Sequence, residues 1–362
     1  MAGRKVNRMG VEEKVAHVFT ARNLLTAKDV LCKTELELME LLDVPMEALL
    51  SAVAFISQKV CPPCHSVLDI MKERAKTEPA YGHLPTGLQG LDGALWGGIP
   101  FGIVTEVVGP AGIGKTQLCL MLSALTSMPE ALGGLNSGVI YIDTEHKFTS
   151  GRLIEIAHSL SPEVLGDNLL QQLAAHVLVL HPSSVADLLQ RLQGLEEAII
   201  EHRIKLLVID SIAALVLSEY GRDRIIQRQE VLGQLASVLK FLAESFRMPV
   251  VVTNQVRAET GFGGKDVTFT DKAKSSVMTN AGIPDGPELQ LTAALGTKWA
   301  HSVNIRLIME SISGERFIKI AKSPLSATLA FQYEVTLSGI QQKGRQTFEA
   351  SDGGKMTIQN SG

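Results

Sequence analysis

The sequence predicts an α/β fold: a mostly parallel, twisted sheet covered by helices on both faces, preceded by a small all-α domain. Three observations carry that prediction. From Pro85 onward, short apolar runs rich in β-branched residues alternate with stretches of helical periodicity, the signature of a sheet buried on both sides. From Val11 to about Ser57, apolar residues recur instead at three- and four-residue spacing. Between the two, over Gln58 to Leu84, Pro62-Pro63, the charged run Lys72-Glu73-Arg74-Ala75-Lys76 and Glu78-Pro79-Ala80-Tyr81-Gly82 have the composition of a linker. The expected organisation is a helical domain at 1–57, a linker at 58–84, an α/β core at 85–346 and a disordered tail at 347–362.

In the first domain the apolar positions are Leu36, Met39, Leu41 and Leu42, then Leu49, Leu50, Val53 and Phe55. Asp43-Val44-Pro45 breaks the pattern between two helices, and Thr26 suits the N-cap of the helix after Leu25. In the second domain the candidate strands are Ile103 to Val108, Val139 to Asp143, Val177 to Leu180, Leu206 to Asp210 and Pro249 to Asn254. Asn304 to Glu310, Arg316 to Ala321 and Leu329 to Thr336 follow one another without helices, which predicts an antiparallel edge. Arg257 to Gly296 is glycine-rich with little periodicity, and a loop of that length in a compact domain is functional or disordered.

Composition excludes several classes. Of 362 residues, 45% are hydrophobic and 20% charged, which rules out wholesale disorder, and no apolar run is long enough to span a bilayer. The basic start, Met1 to Arg8, lacks the apolar stretch of a secretory signal. The 4 cysteines are too few and too unevenly spaced for a disulfide framework, which points to a reducing compartment. Cys61-Pro62-Pro63-Cys64-His65 has no second cysteine pair to complete a zinc site and reads as a stiff spacer. With 34 Lys plus Arg against 38 Asp plus Glu, any contact with nucleic acid must come from a local stripe.

Chemistry enters with Gly109-Pro110-Ala111-Gly112-Ile113-Gly114-Lys115-Thr116, which fits G-x-x-x-x-G-K-[ST] between a predicted strand and a helix that continues through Gln117. The glycines let successive N–H groups turn toward one anion, and the helix N-terminus adds partial positive charge. Lys115 reaches the β/γ-phosphates of a nucleotide, and the Thr116 hydroxyl can ligate magnesium. Leu206-Leu207-Val208-Ile209-Asp210 is an apolar strand ending in a carboxylate, the arrangement that holds a magnesium shell in such enzymes. Tyr141-Ile142-Asp143-Thr144-Glu145 ends another strand, where Glu145 either orients the water that attacks a γ-phosphate or, with Asp143, caps the helix after Ser150. Val252-Thr253-Asn254-Gln255 ends a third, where Gln255 either senses the γ-phosphate or is an ordinary turn residue.

These segments in this order, together with Thr86-Gly87-Leu88, Leu91-Asp92, Gly97-Gly98-Ile99-Pro100, Trp299-Ala300-His301-Ser302 and Lys322-Ser323-Pro324, resemble the eukaryotic and archaeal RecA-type recombinases over about Leu84 to Gly339. The sequences Ala293 to Ser302 and Ala321 to Leu325 look most like the B-type paralogue branch, mediators in homologous recombination. The resemblance implies a RecA-like P-loop ATPase core, ATP and magnesium as cofactors, a nuclear location and a role in double-strand break repair. It implies that Arg152 stacks on adenine and that Lys322-Ser323-Pro324 caps ATP at a neighbouring protomer. Leu217 to Gln229 and Arg257 to about Ala294 correspond to the family's two DNA-binding loops. In them Arg222, Arg224, Arg228, Arg257 and Lys265 are candidate phosphate contacts and Phe262 a candidate stacking residue, each offset by nearby carboxylates.

Two departures shape the expectation. After Glu145 the strand-exchange enzymes continue Gly-Thr-Phe, whereas this chain has His146-Lys147-Phe148, so a cation stands beside the water-orienting carboxylate and hydrolysis is expected to be slow. The linker lacks the Phe-x-x-Ala peg of filament-forming members, which favours hetero-oligomers with other recombinase paralogues over a long homo-filament. The expected partners are therefore paralogues and single-stranded or junction DNA, and no membrane. The alternative is a scaffold that holds ATP as a structural ligand without using its hydrolysis.

Overall fold

The structure is a computed structural model that describes residues 5–61, 66–77, 82–161, 167–259, 290–350 and 356–359. The chain divides into two compact units, Met1–Thr77 and Glu78–Gly362.

The first unit is all helical: α1 (Glu13–Ala21), α2 (Ala27–Leu31), α3 (Glu35–Leu41), α4 (Met46–Val60) and α5 (Val67–Thr77). Thr26 caps α2 as expected. Its hydroxyl accepts the Asp29 N–H at 3.3 Å while the Asp29 carboxylate accepts the Thr26 N–H at 2.8 Å. Thr34 and Glu37 repeat this reciprocal box at α3, at 3.3 and 2.7 Å. The core is Val15, Phe19, Val30, Leu38, Leu42, Leu49 and Ile56. The apolar set read from the sequence is only partly right. Leu36 is 72% exposed, and Met39, Leu41 and Leu50 also face solvent. In so short a helix as α3 only one position per turn meets the core, and Leu38 and Leu42 take it at i,i+4 spacing. The stretch expected as a linker carries a helix, because Ser66 accepts the Asp69 N–H at 3.1 Å and starts α5, whose Lys, Glu, Met and Ala are strong helix formers.

In the second unit β1 (His83–Leu84) pairs antiparallel with β2 (Ile99–Pro100), flanking α6 (Gln89–Ala94). The main sheet contains β3 (Val104–Val108), β4 (Gly138–Asp143), β5 (Val177–Leu180), β6 (Ile204–Asp210) and β7 (Val250–Asn254). A short ladder, β8 (Val256–Glu259) with β9 (Gln290–Ala293), stands apart, and the main sheet continues through β10 (Ile305–Ile312), β11 (Glu315–Lys322), β12 (Leu329–Thr336), β13 (Gly339–Ala350) and β14 (Met356–Gln359). Its order is β14-β13-β12-β11-β10-β3-β7-β6-β4-β5. From β10 to β5 every neighbour is parallel, and from β10 to β14 every neighbour is antiparallel.

Helices α7 (Lys115–Ser127), α8 (Ser150–Leu160), α9 (Asp167–Ala175), α10 (Val185–Gln193), α11 (Glu196–Glu201), α12 (Ile212–Glu219), α13 (Ile225–Phe246) and α14 (Gly296–Ser302) complete the unit. On one face of the sheet Leu118, Leu122, Leu153 and Ile156 pack with Val107, Tyr141 and Val251. On the other, Leu188, Leu192, Val216, Leu235 and Leu239 pack with Val104, Ile142, Ile209 and Val252. β3, β4 and β7 are buried at every position; β4 and β7 accordingly read as nearly continuous apolar runs, while β3 buries Thr105 and Glu106 within it.

Two expectations need correction. The tail from 347 is not free chain where it is described: Thr347 to Ala350 end β13, and β14 pairs against them. Edge strands carry polar residues readily, so composition alone made this segment look like a tail. The loop read from Arg257 to Gly296 is structured at both ends, by the β8–β9 ladder and by α14.

Candidate nucleotide site

The phosphate-loop motif lies between β3 and α7, at the carboxyl end of the parallel strands where open α/β sheets place ligands. Gly112 and Gly114 adopt φ of +76° and +120°, conformations that side chains rarely take. A Cβ on Gly112 would meet nothing within 4 Å, so the loop face is open, whereas one on Gly109 would lie 2.6 Å from the Met309 carbonyl oxygen. Lys115 Nζ donates to the carbonyl oxygens of Gly109 at 2.7 Å and Pro110 at 2.8 Å, folded over the loop. Burial lowers its pKa, and the negative charge of Asp210 opposes that shift. A desolvated cation above an open ring of backbone amides fits a polyphosphate chain.

Asp210, at the end of β6, is the meeting point of three hydroxyls. Its Oδ2 accepts from Thr116 at 2.6 Å and from Tyr141 at 2.9 Å, and its Oδ1 accepts from Thr253 at 2.6 Å. Thr116 and Asp210, both expected as magnesium residues, are thus in direct contact. The hard-oxygen donor set they form suits magnesium. Tyr141 and Thr253 were not singled out in the sequence. Their signal was there, a hydroxyl on each strand beside β6 in an otherwise apolar run. Burial raises the Tyr141 phenol well above its usual pKa, so it stays a donor. Beneath them Cys119 is fully buried on α7, and burial pushes its thiol well up.

The two carboxylates of the Tyr141-to-Glu145 segment take different parts. Asp143 accepts the N–H groups of Glu145, Lys147 and Phe148 at 3.2, 3.1 and 2.8 Å, and so shapes the turn after β4. Neither carboxylate caps α8, whose N-cap Thr149 makes no side-chain capping bond. Glu145 Oε1 accepts from Gln255 Nε2 at 2.7 Å and from Ser211 Oγ at 3.3 Å. Its Oε2 is paired with Lys147, the cation noted in the sequence. Lys115, Thr116, Asp210, Glu145 and Gln255, drawn from four places in the chain, therefore converge.

Gln117 and Arg152 meet at the side of this site. Arg152 Nε donates to Gln117 Oε1 at 2.8 Å, and its other nitrogens donate to Glu155 and to the carbonyls of Thr336 and Leu337 at 2.6 to 2.9 Å. These bonds occupy the edge of the guanidinium. Lys322 Nζ, by contrast, donates to the carbonyls of Ala300, His301 and Val303 at the end of α14. Of the candidate DNA residues, Arg224 is exposed beside Asp223, 4.0 Å away. Nε and Nη1 of Arg228 are buried with no hydrogen-bond acceptor among the described residues. The side chains of Arg222 and Arg257 lie outside the described residues, as do Phe262 and Lys265 altogether.

A phosphate loop opening a helix at the centre of a parallel sheet, with acidic strand ends facing it, defines a RecA-like core. The Rad51 family matches residues 81–343, and an XRCC3/RpoA-like helix-hairpin-helix domain matches residues 6–60. The DNA repair protein RAD51 homolog 2 of Arabidopsis thaliana is 47% identical over 341 residues, covering 94% of this chain and 91% of its own. Its Homo sapiens namesake is 35% identical over 346 residues, covering 94% and 89%. The DNA repair protein XRCC3 homolog of Arabidopsis thaliana is 32% identical over 249 residues, covering 66% and 79%. The chain belongs to the Rad51 family, as a eukaryotic RecA-type paralogue of the B type.

Proposed function

We propose that this protein is an ATP-binding mediator of homologous recombination in the nucleus, a slow, DNA-dependent ATP hydrolase acting within a complex of recombinase paralogues. The observation that carries the reading is the convergence of Lys115, Thr116, Asp210, Glu145 and Gln255 at one end of the sheet. Family membership and relatives named as DNA repair proteins support the repair setting. Among the described residues no helix is long and apolar enough to cross a membrane.

In this reading the Gly109–Thr116 amides and Lys115 hold the phosphate chain, and the face of Arg152 takes the base. Thr116 and Asp210 hold magnesium, which supplies charge neutralisation to the leaving phosphates. Glu145 takes the proton of the attacking water, and Gln255 responds to the terminal phosphate. For DNA, Arg228 is one of the proposed phosphate contacts. Arg222, Arg224, Arg257, Lys265 and Phe262 belong to the same proposed surface.

One observation favours the second reading, an ATP-stabilised scaffold without useful turnover. Lys147 pairs with the carboxylate that must act as base and occupies the oxygen that would face the water. Steady-state hydrolysis with and without single-stranded DNA separates the two. The mediator reading expects stimulation by DNA that disappears in Glu145→Gln with ATP affinity retained; turnover that is unaffected by DNA and by Glu145→Gln leaves the scaffold.

A further inference from the structure

A second polar cluster lies inside the sheet, centred on Glu106 of β3, two residues before the strand ends and fully buried. Its Oε1 accepts from Asn254 Nδ2 at 2.6 Å and from Trp299 Nε1 at 2.8 Å, and its Oε2 accepts from Arg306 Nε at 2.6 Å. Trp299 on α14 is 1% exposed and Arg306 on β10 is 7% exposed. Packing alone does not call for this set, since apolar side chains of similar volume fill such a space at no desolvation cost. What the cluster does is join parts of the chain that have different neighbours.

Asn254 is its link to the nucleotide site. While its Nδ2 binds Glu106, its Oδ1 accepts the backbone N–H of Gln255 at 2.8 Å. The Gln255 side chain reaches Glu145, and its carbonyl accepts the Ala294 N–H at 2.9 Å, closing the base of the β8–β9 ladder. Asn254 and Trp299 thus share one acceptor atom, Glu106 Oε1. A shift of Asn254 changes the hydrogen bond available to Trp299, and with it the seat of α14. In a close-packed interior such a change is passed on as a step between two arrangements, not absorbed gradually.

We propose that Glu106 is a positioning residue that couples the state of the nucleotide site to α14 and the base of the β8–β9 ladder, through the acceptor that Asn254 and Trp299 share. The inference rests on the reading of Gln255 as the residue that responds to the terminal phosphate. When Gln255 turns toward that phosphate, its backbone moves against Asn254, and Glu106 passes the movement to Trp299.

The chain itself supplies the reporter. It has 2 tryptophans, and the other, Trp96, is exposed. In the full chain carrying Trp96→Phe, Trp299 emission is recorded with ATP–magnesium and with ADP–magnesium, and nucleotide affinity is measured in parallel by calorimetry. ATP is expected to change the emission and ADP to leave it as it was. Adding Glu106→Gln, or Asn254→Ser should the first variant fail to fold, is expected to remove the ATP-specific change while ATP is still bound. A merely structural role lowers thermal stability equally with either nucleotide and leaves the ATP–ADP difference in place. The coupling is overturned if Asn254→Ser keeps the full ATP-specific response, or if Trp299 is silent in a chain that binds ATP. If calorimetry shows no ATP uptake, the nucleotide reading itself fails, and the coupling falls with it.

Discussion

Lys115 is half-buried over the phosphate loop, and burial, helped by the nearby Lys147 cation, pulls its pKa below the ordinary lysine value. Between the folded and the unfolded value the unfolded chain binds the additional proton, so folding stability rises with pH across that window. In Lys115→Met that alkaline rise is expected to vanish, as read by urea denaturation at a series of alkaline pH values. The same variant is expected to lose stabilisation by ATP, which in the parent reaches about 2.7 kcal/mol when ligand stands at ~100-fold over its Kd; thermal melts with and without ATP–magnesium check this. Lys147 acts on the other side of the site. It is 54% exposed where Glu145 is 16% exposed, so the pair is partly screened and worth on the order of 0.5–1 kcal/mol. Lys147→Met is therefore expected to raise kcat for ATP by on the order of threefold with ATP affinity unchanged. A fall in kcat would mean that the lysine assists the reaction.

At the scale of elements, the helix starts of the first unit are set by side chains that stand in for missing backbone partners. Thr26→Ala removes the acceptor for the Asp29 N–H and is expected to cost about 1 kcal/mol, measured by denaturation of the full chain. The central strands were legible almost to the residue because both their faces are buried, so that Val139 to Asp143 or Val250 to Asn254 stands out as one apolar run. β13 was not legible, since a strand carrying Gln341, Gln342 and Lys343 near the sheet edge looks like solvated chain. Helix α5 was masked by the prolines before it and the charges within it. The site shows the same division. Lys115, Thr116, Asp210 and Glu145 were legible because the chemistry fixes their types and places. Tyr141 and Thr253, which hold Asp210 in position, were not, because their partner is distant in sequence and only the strand order β7-β6-β4 brings the three together. Glu106 was invisible for a related reason: a lone carboxylate within an apolar run signals its importance only when Asn254, Trp299 and Arg306 are seen around it.

Across the whole molecule, parallel pairing from β10 to β5 turns the carboxyl ends of six strands to one side, and the nucleotide site is spread over several of them. No single element owns it. The net charge of -4 offers no long-range pull on nucleic acid, so contact must depend on local arginines and be sensitive to salt. The buried Cys119 gives this architecture a clock. Cys32 and Cys61 are exposed and Cys64 lies outside the described residues, so replacing all three with serine leaves one thiol, shut behind α7. An alkylating reagent can reach it only when the helix that cradles the phosphates swings away from the sheet. Trapping by iodoacetamide then counts those excursions, and saturating ATP should lengthen the half-time in proportion to one plus its ratio to Kd. Labelling that keeps the same pace with and without nucleotide would mean that the helix breathes independently of what it holds.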